Sequence, residues 1–227
     1  MVPLYLSDIR SFVRAKLDEV SSDAGFIATD NLDIAKIVED SAVLVIRTVH
    51  LSAPNVLLDG ELLANVSLTV DRDNVGYISV PRNFMRLVSL QVNGWSRPVQ
   101  TLISEDSVEY RKQQNKYLRG TLRNPVAAIT HKGSDERHVI ELYVCPANAS
   151  VSHFRYVPEI ELINNNTTIM ICPKLKQACL YAVTAEVMRC YNEPNKAQMF
   201  EALAQRALNP TMDNERLYPT NGEKTIE

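Results

Sequence analysis

Three histidines are the first residues of this chain to consider for acid–base or metal chemistry. His131, His138 and His153 fall in or beside a β-rich region, where they could converge with Cys145 or Asp135 on a metal ion. No ligand-type spacing repeats among them. Exposed loop or strand histidines are therefore the favoured interpretation.

Two glutamates offer a second possible site. Glu159 and Glu161 alternate with apolar residues as strand neighbours would, which predicts that both carboxylates share one face. Paired carboxylates can do acid and base work, but a solvated strand face is the favoured interpretation of the pattern. A soluble enzyme whose site combines these glutamates with His131 and His153 remains an alternative.

The other sequence motifs that mark enzymes and metal sites are absent or incomplete. The four cysteines lie 27, 7 and 11 positions apart, without the close pairs of a structural zinc site, so reduced thiols are expected. Residues 71–76 open like a calcium loop, but Val75 and Arg82 occupy ligand positions, which favours a hairpin turn. The sequence has no P-loop, zinc-protease or serine-hydrolase motif. We expect no metal and no cofactor.

One segment stands out by its charge. Residues 109–123 carry five basic residues against Glu109 alone, a local charge of +4, interleaved with Tyr110 and Tyr117. The basic residues are Arg111, Lys112, Lys116, Arg119 and Arg123. A solvated surface, a DNA contact and an acidic protein partner all fit this pattern, so a small nucleic-acid-binding module is a further alternative.

Trp95 is the only tryptophan, and it follows the turn-prone pair Asn93 and Gly94. A tryptophan at this position can cap the β core, or it can anchor an interface with another protein. The sequence leaves both roles open.

Composition limits the class of protein that can position these residues. The chain has 227 residues, 45% of them hydrophobic and 22% charged, with a net charge of −3. These values are typical of a globular protein and argue against a disordered chain or a general nucleic-acid coat. The longest apolar run has five residues, which predicts no membrane span or membrane partner.

The hydrophobic period divides the chain into four parts. Helical spacing predicts two helices in 1–54 and two more in 169–210, whereas short alternating segments separated by turn residues predict a β-rich insertion over 55–168. Polar, aperiodic residues make 211–227 an extended tail. The predicted fold class is α+β: a bundle of N- and C-terminal helices with an inserted antiparallel β region and an extended C-terminal tail.

The tail has its own predicted role. It contains too few apolar residues to fold alone, but Met212, Leu217, Tyr218 and Ile226 recur at intervals suited to pockets on another surface. We expect it to be mobile in the free chain and ordered against a partner.

The order of elements, the segment 80–90 (VPRNFMRLVSL) running into Trp95, and the segment 110–120 before Pro125 together resemble virion proteins of tailed phages. The likeness is greatest to the head-to-tail adaptor, or ring, proteins beneath the portal of short-tailed, crAss-like phages. It implies a non-enzymatic protein of the virion, assembled in the host cytoplasm as a closed homo-oligomeric ring, twelvefold in that family. The implied partners are the portal protein, other ring or tail proteins, and the genomic DNA in the channel. The resemblance also implies that the tail 211–227 is ordered against the portal or an adjacent ring subunit in the assembly.

Overall fold

The computed structural model describes residues 1–20, 34–131, 138–146 and 148–209. The predicted tail 211–227, the end of the first helix at 22–25, the helix start at 29–31 and Asp135 lie outside these ranges. The described residues form five α-helices and three β-sheets, which confirms the mixed α+β class. None of the helices within these ranges is long and apolar enough to span a membrane.

The described helices are α1 (Leu6–Val20), α2 (Ile34–Ser52), α3 (Val108–Gln114), α4 (Lys176–Cys190) and α5 (Pro194–Ala207). The described strands are β1 (Val2–Tyr5), β2 (Glu61–Leu62), β3 (Leu68–Val70), β4 (Val75–Ser79), β5 (Phe84–Val92), β6 (Ile103–Ser104), β7 (Val126–His131), β8 (His138–Tyr143), β9 (Val151–Pro158), β10 (Leu162–Ile163) and β11 (Thr168–Ile171).

The chain divides into two compact units. The first comprises Met1–Leu58 and Ile160–Glu227, and the second comprises Asp59–Glu159. The predicted insertion over 55–168 is wider than the second unit, since β10 and β11 belong to the first.

In the first unit, α4 packs against α1, α2 and α5. Part of the apolar stripe expected on each helix is buried there, with Ile9 of α1 and Val38 and Ala42 of α2 fully inaccessible to solvent. Phe200 of α5 stacks on Tyr181 of α4 at a centroid distance of 6.3 Å. These contacts make α4 the central helix of the unit.

The first unit also contains a strand that the hydrophobic pattern does not reveal. β1 pairs antiparallel with β11, from Val2 opposite Ile171 to Tyr5 opposite Thr168, and β10 completes a three-stranded sheet. Serine is a common N-cap, which predicts that the first helix begins after Ser7, but β1 leads directly into α1 at Leu6 and Ser7 lies inside the helix.

The second unit holds two sheets, with strand orders β2-β9-β5 and β3-β4-β8-β7-β6. Their pairing is antiparallel as predicted, except that β6 and β7 run parallel. The turn between β3 and β4 forms because the Asp71 carboxylate accepts hydrogen bonds from the Asp73 and Val75 N–H groups, each at 2.9 Å. The hairpin interpretation of this segment is thus confirmed.

The strand interpretation of Glu159 and Glu161 is wrong. β9 ends at Pro158 and β10 begins at Leu162, so both glutamates lie in the connection from the second unit to the first. Ile160 between them is buried, so residues 159–161 have the polar–apolar alternation of a strand although they form none.

Candidate interaction surface

The basic segment forms α3 and the loop that follows it; residues 108–124 are called the basic loop below. α3 begins where Ser107 caps it: the Ser107 Oγ accepts a hydrogen bond from the Tyr110 N–H at 3.1 Å. The same hydroxyl donates to the Ser104 carbonyl at 2.6 Å, which ties the helix start to β6. Arg111 and Lys112 are exposed on this helix, in the second unit.

Gln113 holds the part of the basic loop that follows α3 against the end of that helix. Its side chain is buried, and its Oε1 accepts a hydrogen bond from the Gly120 N–H at 2.8 Å. The Arg119 Nε donates to the Gln113 carbonyl at 2.7 Å. A Cβ at Gly120 would lie 2.8 Å from the Asn124 carbonyl oxygen, so the fold of the loop requires glycine there.

A buried carboxylate fastens α3 to the sheet. Glu141 of β8 is nearly inaccessible, and its Oε2 accepts hydrogen bonds from the Tyr110 hydroxyl at 3.1 Å and the Tyr143 hydroxyl at 2.8 Å. The Gln114 amide donates to the Tyr143 hydroxyl at 3.1 Å. Burial, together with the adjacent Glu141, raises the pKa of Tyr143 well above its usual value, so this hydroxyl keeps its proton. The Glu141 cluster below means Glu141 with these three partners.

Arg119 points into the molecule, unlike the other four basic residues of the segment. Its Nη1 donates to the Asp73 carbonyl at 3.0 Å, and its guanidinium lies 5.9 Å from the Tyr143 ring centroid. Slight burial acts to raise the pKa of Asp71. The hydrogen bonds that Asp71 accepts and the nearby Arg119 charge act to lower it and together outweigh burial, so the pKa of Asp71 lies below its usual value. Arg119 joins the basic loop to the β3–β4 turn.

The outer side of the basic loop combines cations with apolar side chains. Arg111, Lys112, Lys116 and Arg123 are exposed. Tyr117 is 88% exposed, and Val108, Leu118 and Leu122 are exposed as well. Such a surface can attract phosphates or carboxylates by charge and can also bury aromatic and aliphatic area against a partner.

Trp95 lies in the core of the second unit with only 5% of its surface exposed. Its indole N–H donates to the Val144 carbonyl at 3.1 Å, and its own carbonyl accepts from the Gln91 amide at 2.7 Å. The core-capping role is confirmed. The interface role stays a prediction.

The candidate acid–base residues are dispersed. His131 lies at the end of β7, where its N–H donates to Glu105 at 2.9 Å and its ring is 4.3 Å from that of His138. His153 lies on β9, in the other sheet of the unit. Within the described ranges, no group of three or more His, Cys, Asp or Glu residues could hold a metal ion.

Sequence reasoning missed the Glu141 cluster and the inward position of Arg119. Glu141 was detectable as the one charged residue between apolar neighbours of β8, Ile140 and Leu142. The sequence carried no comparable signal for Arg119. The interface candidates Met212, Leu217, Tyr218 and Ile226 lie outside the described residues.

The comparison with protein families is decisive for the class of protein. The family model of the SU10 adaptor protein matches residues 6–224. The chain belongs to the SU10 adaptor protein family. No curated protein matches it in sequence.

As an SU10 adaptor protein, the chain is a head–tail adaptor of a phage and a component of the virion. The match covers the whole second unit with its basic loop, and all of the first unit except 1–5 and 225–227. Membership of this family implies association with other virion proteins.

Proposed function

We propose that this chain is the subunit of a connector ring that joins the portal to the tail and surrounds the DNA channel, without catalysis. The supporting observation is the family match over 6–224. In this proposal α1, α2, α4 and α5 form the bundle of each subunit, which carries the inserted β region. The ring is homo-oligomeric and, by resemblance to crAss-like, short-tailed phages, twelvefold.

The basic loop supplies one contact surface of the proposed ring. Its exposed tyrosine and leucines favour a protein neighbour over DNA alone, because DNA contacts rest mainly on cations. The Glu141 cluster and Gln113 hold the loop in place before the partner arrives, which reduces the entropy cost of docking.

The test of the ring is its mass and its place in the particle. Mass photometry of the purified chain, alone and with portal protein, should show a closed assembly of many subunits. A reconstruction of the virion should place the chain between portal and tail. Absence of the chain from mature particles would overturn the proposal.

The test of the basic loop is a charge-removal variant that spares Arg119. Arg111, Lys112, Lys116 and Arg123 are all changed to Gln in one chain. A matched control changes Arg14, Lys36, Arg82 and Arg97, four exposed cations outside the loop, in the same way. Only the first variant should lower incorporation into particles, and equal incorporation of both would contradict a role for the loop.

DNA binding by the same loop is the second candidate, favoured by the four exposed cations. The logarithm of the affinity for duplex DNA should then fall steeply with the logarithm of the salt concentration. The charge-removal variant should reduce the magnitude of this slope by up to about 4. A slope that is the same in the variant and in the control would argue against DNA contact.

A further inference from the structure

The first unit contains an open groove of about 730 Å³ between α2 and α5, with α4 as its floor. Half of the residues that line it are aliphatic, among them Leu44, Val45, Ala182, Ala185, Ala202 and Leu208, and the other half are polar or charged. Leu44 is 66% exposed although the opposite stripe of α2 is buried in the unit. The small alanines of the floor leave room for larger apolar side chains from an occupant.

The charged groups on the rim of the groove are already paired with each other. Arg189 donates to Glu186 at 2.6 Å and also forms an ion pair with Glu201. The groove therefore selects an occupant by apolar contact more than by charge.

The chain itself supplies a suitable occupant. α5 ends at Ala207, and the next residue, Leu208, lines the groove. Beyond Asn209 the sequence continues for 18 residues that include Met212, Leu217, Tyr218 and Ile226. A short segment with spaced apolar residues is the kind of ligand that a groove between helices binds.

We propose that this groove receives residues 210–227 of a second copy of the chain. Asn209 precedes Pro210, and a residue before proline is restricted to extended backbone, which favours a chain that leads away from the end of its own α5. In a closed ring each subunit then gives its segment to one neighbour and receives one from the other, so every groove is filled. This inference rests on the proposed ring.

The binding test uses a fluorescein-labelled peptide of residues 210–227, which is titrated into the full-length chain in competition with the chain's own segments and followed by anisotropy. Leu44→Glu and Ala202→Arg place charge in the groove at exposed positions, so both variants should fold, as thermal unfolding would verify. Each should weaken peptide binding by roughly tenfold or more. Leu51→Glu is the matched control, because Leu51 is 48% exposed on the same helix but does not line the groove.

The copy that donates the segment is identified by cross-linking. Ala202→Cys in one full-length chain and Tyr218→Cys in a second, differently tagged chain are mixed under oxidising conditions, both with the exposed Cys190 changed to Ser. A disulfide between the two tags supports the proposal. If a chain carrying both cysteines forms the bond only within itself, the second-copy assignment is wrong.

The experiments can overturn the proposal for the groove without overturning the proposal for the ring, and the reverse. Rings that form normally while the peptide binds Leu44→Glu, Leu51→Glu and the unchanged chain equally would overturn the groove assignment alone. Peptide binding and cross-linking between copies, in a preparation that yields only dimers and is absent from particles, would support the groove and overturn the ring.

Discussion

The basic loop and the groove of the first unit are both exposed surfaces with apolar side chains, but they are held in different ways. The loop is fixed from beneath by polar groups: the Glu141 cluster, Gln113 and Arg119. The groove is shaped by helices that pack through apolar side chains such as Phe200. A surface held by hydrogen bonds should be lost locally when one partner is removed, whereas a surface held by packing should be lost with its whole unit.

The largest effect is expected from Phe200→Ala. Removal of this buried ring leaves a cavity against Tyr181, Ala185 and Met188, and should lower the free energy of unfolding by about 3–5 kcal/mol. Urea denaturation measures the change. Met199→Ala at the exposed neighbouring position is the control, and similar losses in both variants would contradict packing as the support of the groove.

The next effect is expected from Glu141→Ala. The hydroxyls of Tyr110 and Tyr143 lose their common acceptor inside the protein, at a cost of about 1–3 kcal/mol. The rate of backbone amide hydrogen exchange should rise across 108–124, whereas the amides of α2, α4 and α5 should stay protected. Glu141→Gln keeps an acceptor and should lose less, and faster exchange in the helices of the first unit would contradict a local role.

A smaller loss should follow Arg119→Gln. The substitution removes the hydrogen bonds to the Gln113 and Asp73 carbonyls and the contact with the Tyr143 ring, which together should cost about 1 kcal/mol. Urea denaturation and hydrogen exchange of the β3–β4 turn measure it. Arg123→Gln, an exposed change in the same segment, is the matched control and should leave stability unchanged.

The smallest effect at neutral pH concerns His50 in the first unit, whose contribution to stability changes only in acid. The buried ring donates from Nδ1 to the Ile46 carbonyl at 2.9 Å and accepts the Cys172 N–H at Nε2 at 3.1 Å. Burial lowers the pKa of His50 below 6.5, although the bond to Ile46 opposes this shift. The unfolded chain then binds the proton more readily, so stability falls as the pH drops below about 6.5, by at most about 1.4 kcal/mol per pH unit.

Urea midpoints between pH 5 and pH 8 test this dependence. His50→Leu should have a flatter profile than the unchanged chain across the same range. Parallel profiles for the two proteins would show that other groups carry the dependence.

The sequence predicted the features that depend on neighbouring residues. The stripe of α2, the start of α5 at Pro194 and the turn at Asp71 follow from spacing, proline and aspartate chemistry. β1 was not predictable in this way, because its partner β11 lies far along the chain and four residues carry no clear period.

In the basic loop, too, the sequence did not predict features that depend on residues distant along the chain. The five basic residues were visible in the sequence, but their division into four exposed cations and one inward arginine depends on Asp73 and Tyr143, which are distant along the chain. Trp95 was ambiguous for the same reason, since only the fold brings its indole to the Val144 carbonyl.

The pairing of β1 with β11 has a consequence for the order in which the protein forms during synthesis. The first unit is built from both ends of the sequence, whereas the second is one continuous segment. On the ribosome, Asp59–Glu159 can complete its contacts while α1 and α2 still lack α4, the helix against which both pack. The apolar stripes of α1 and α2 lack this cover until the last quarter of the chain emerges. Co-translational aggregation is therefore expected to begin with the N-terminal helices.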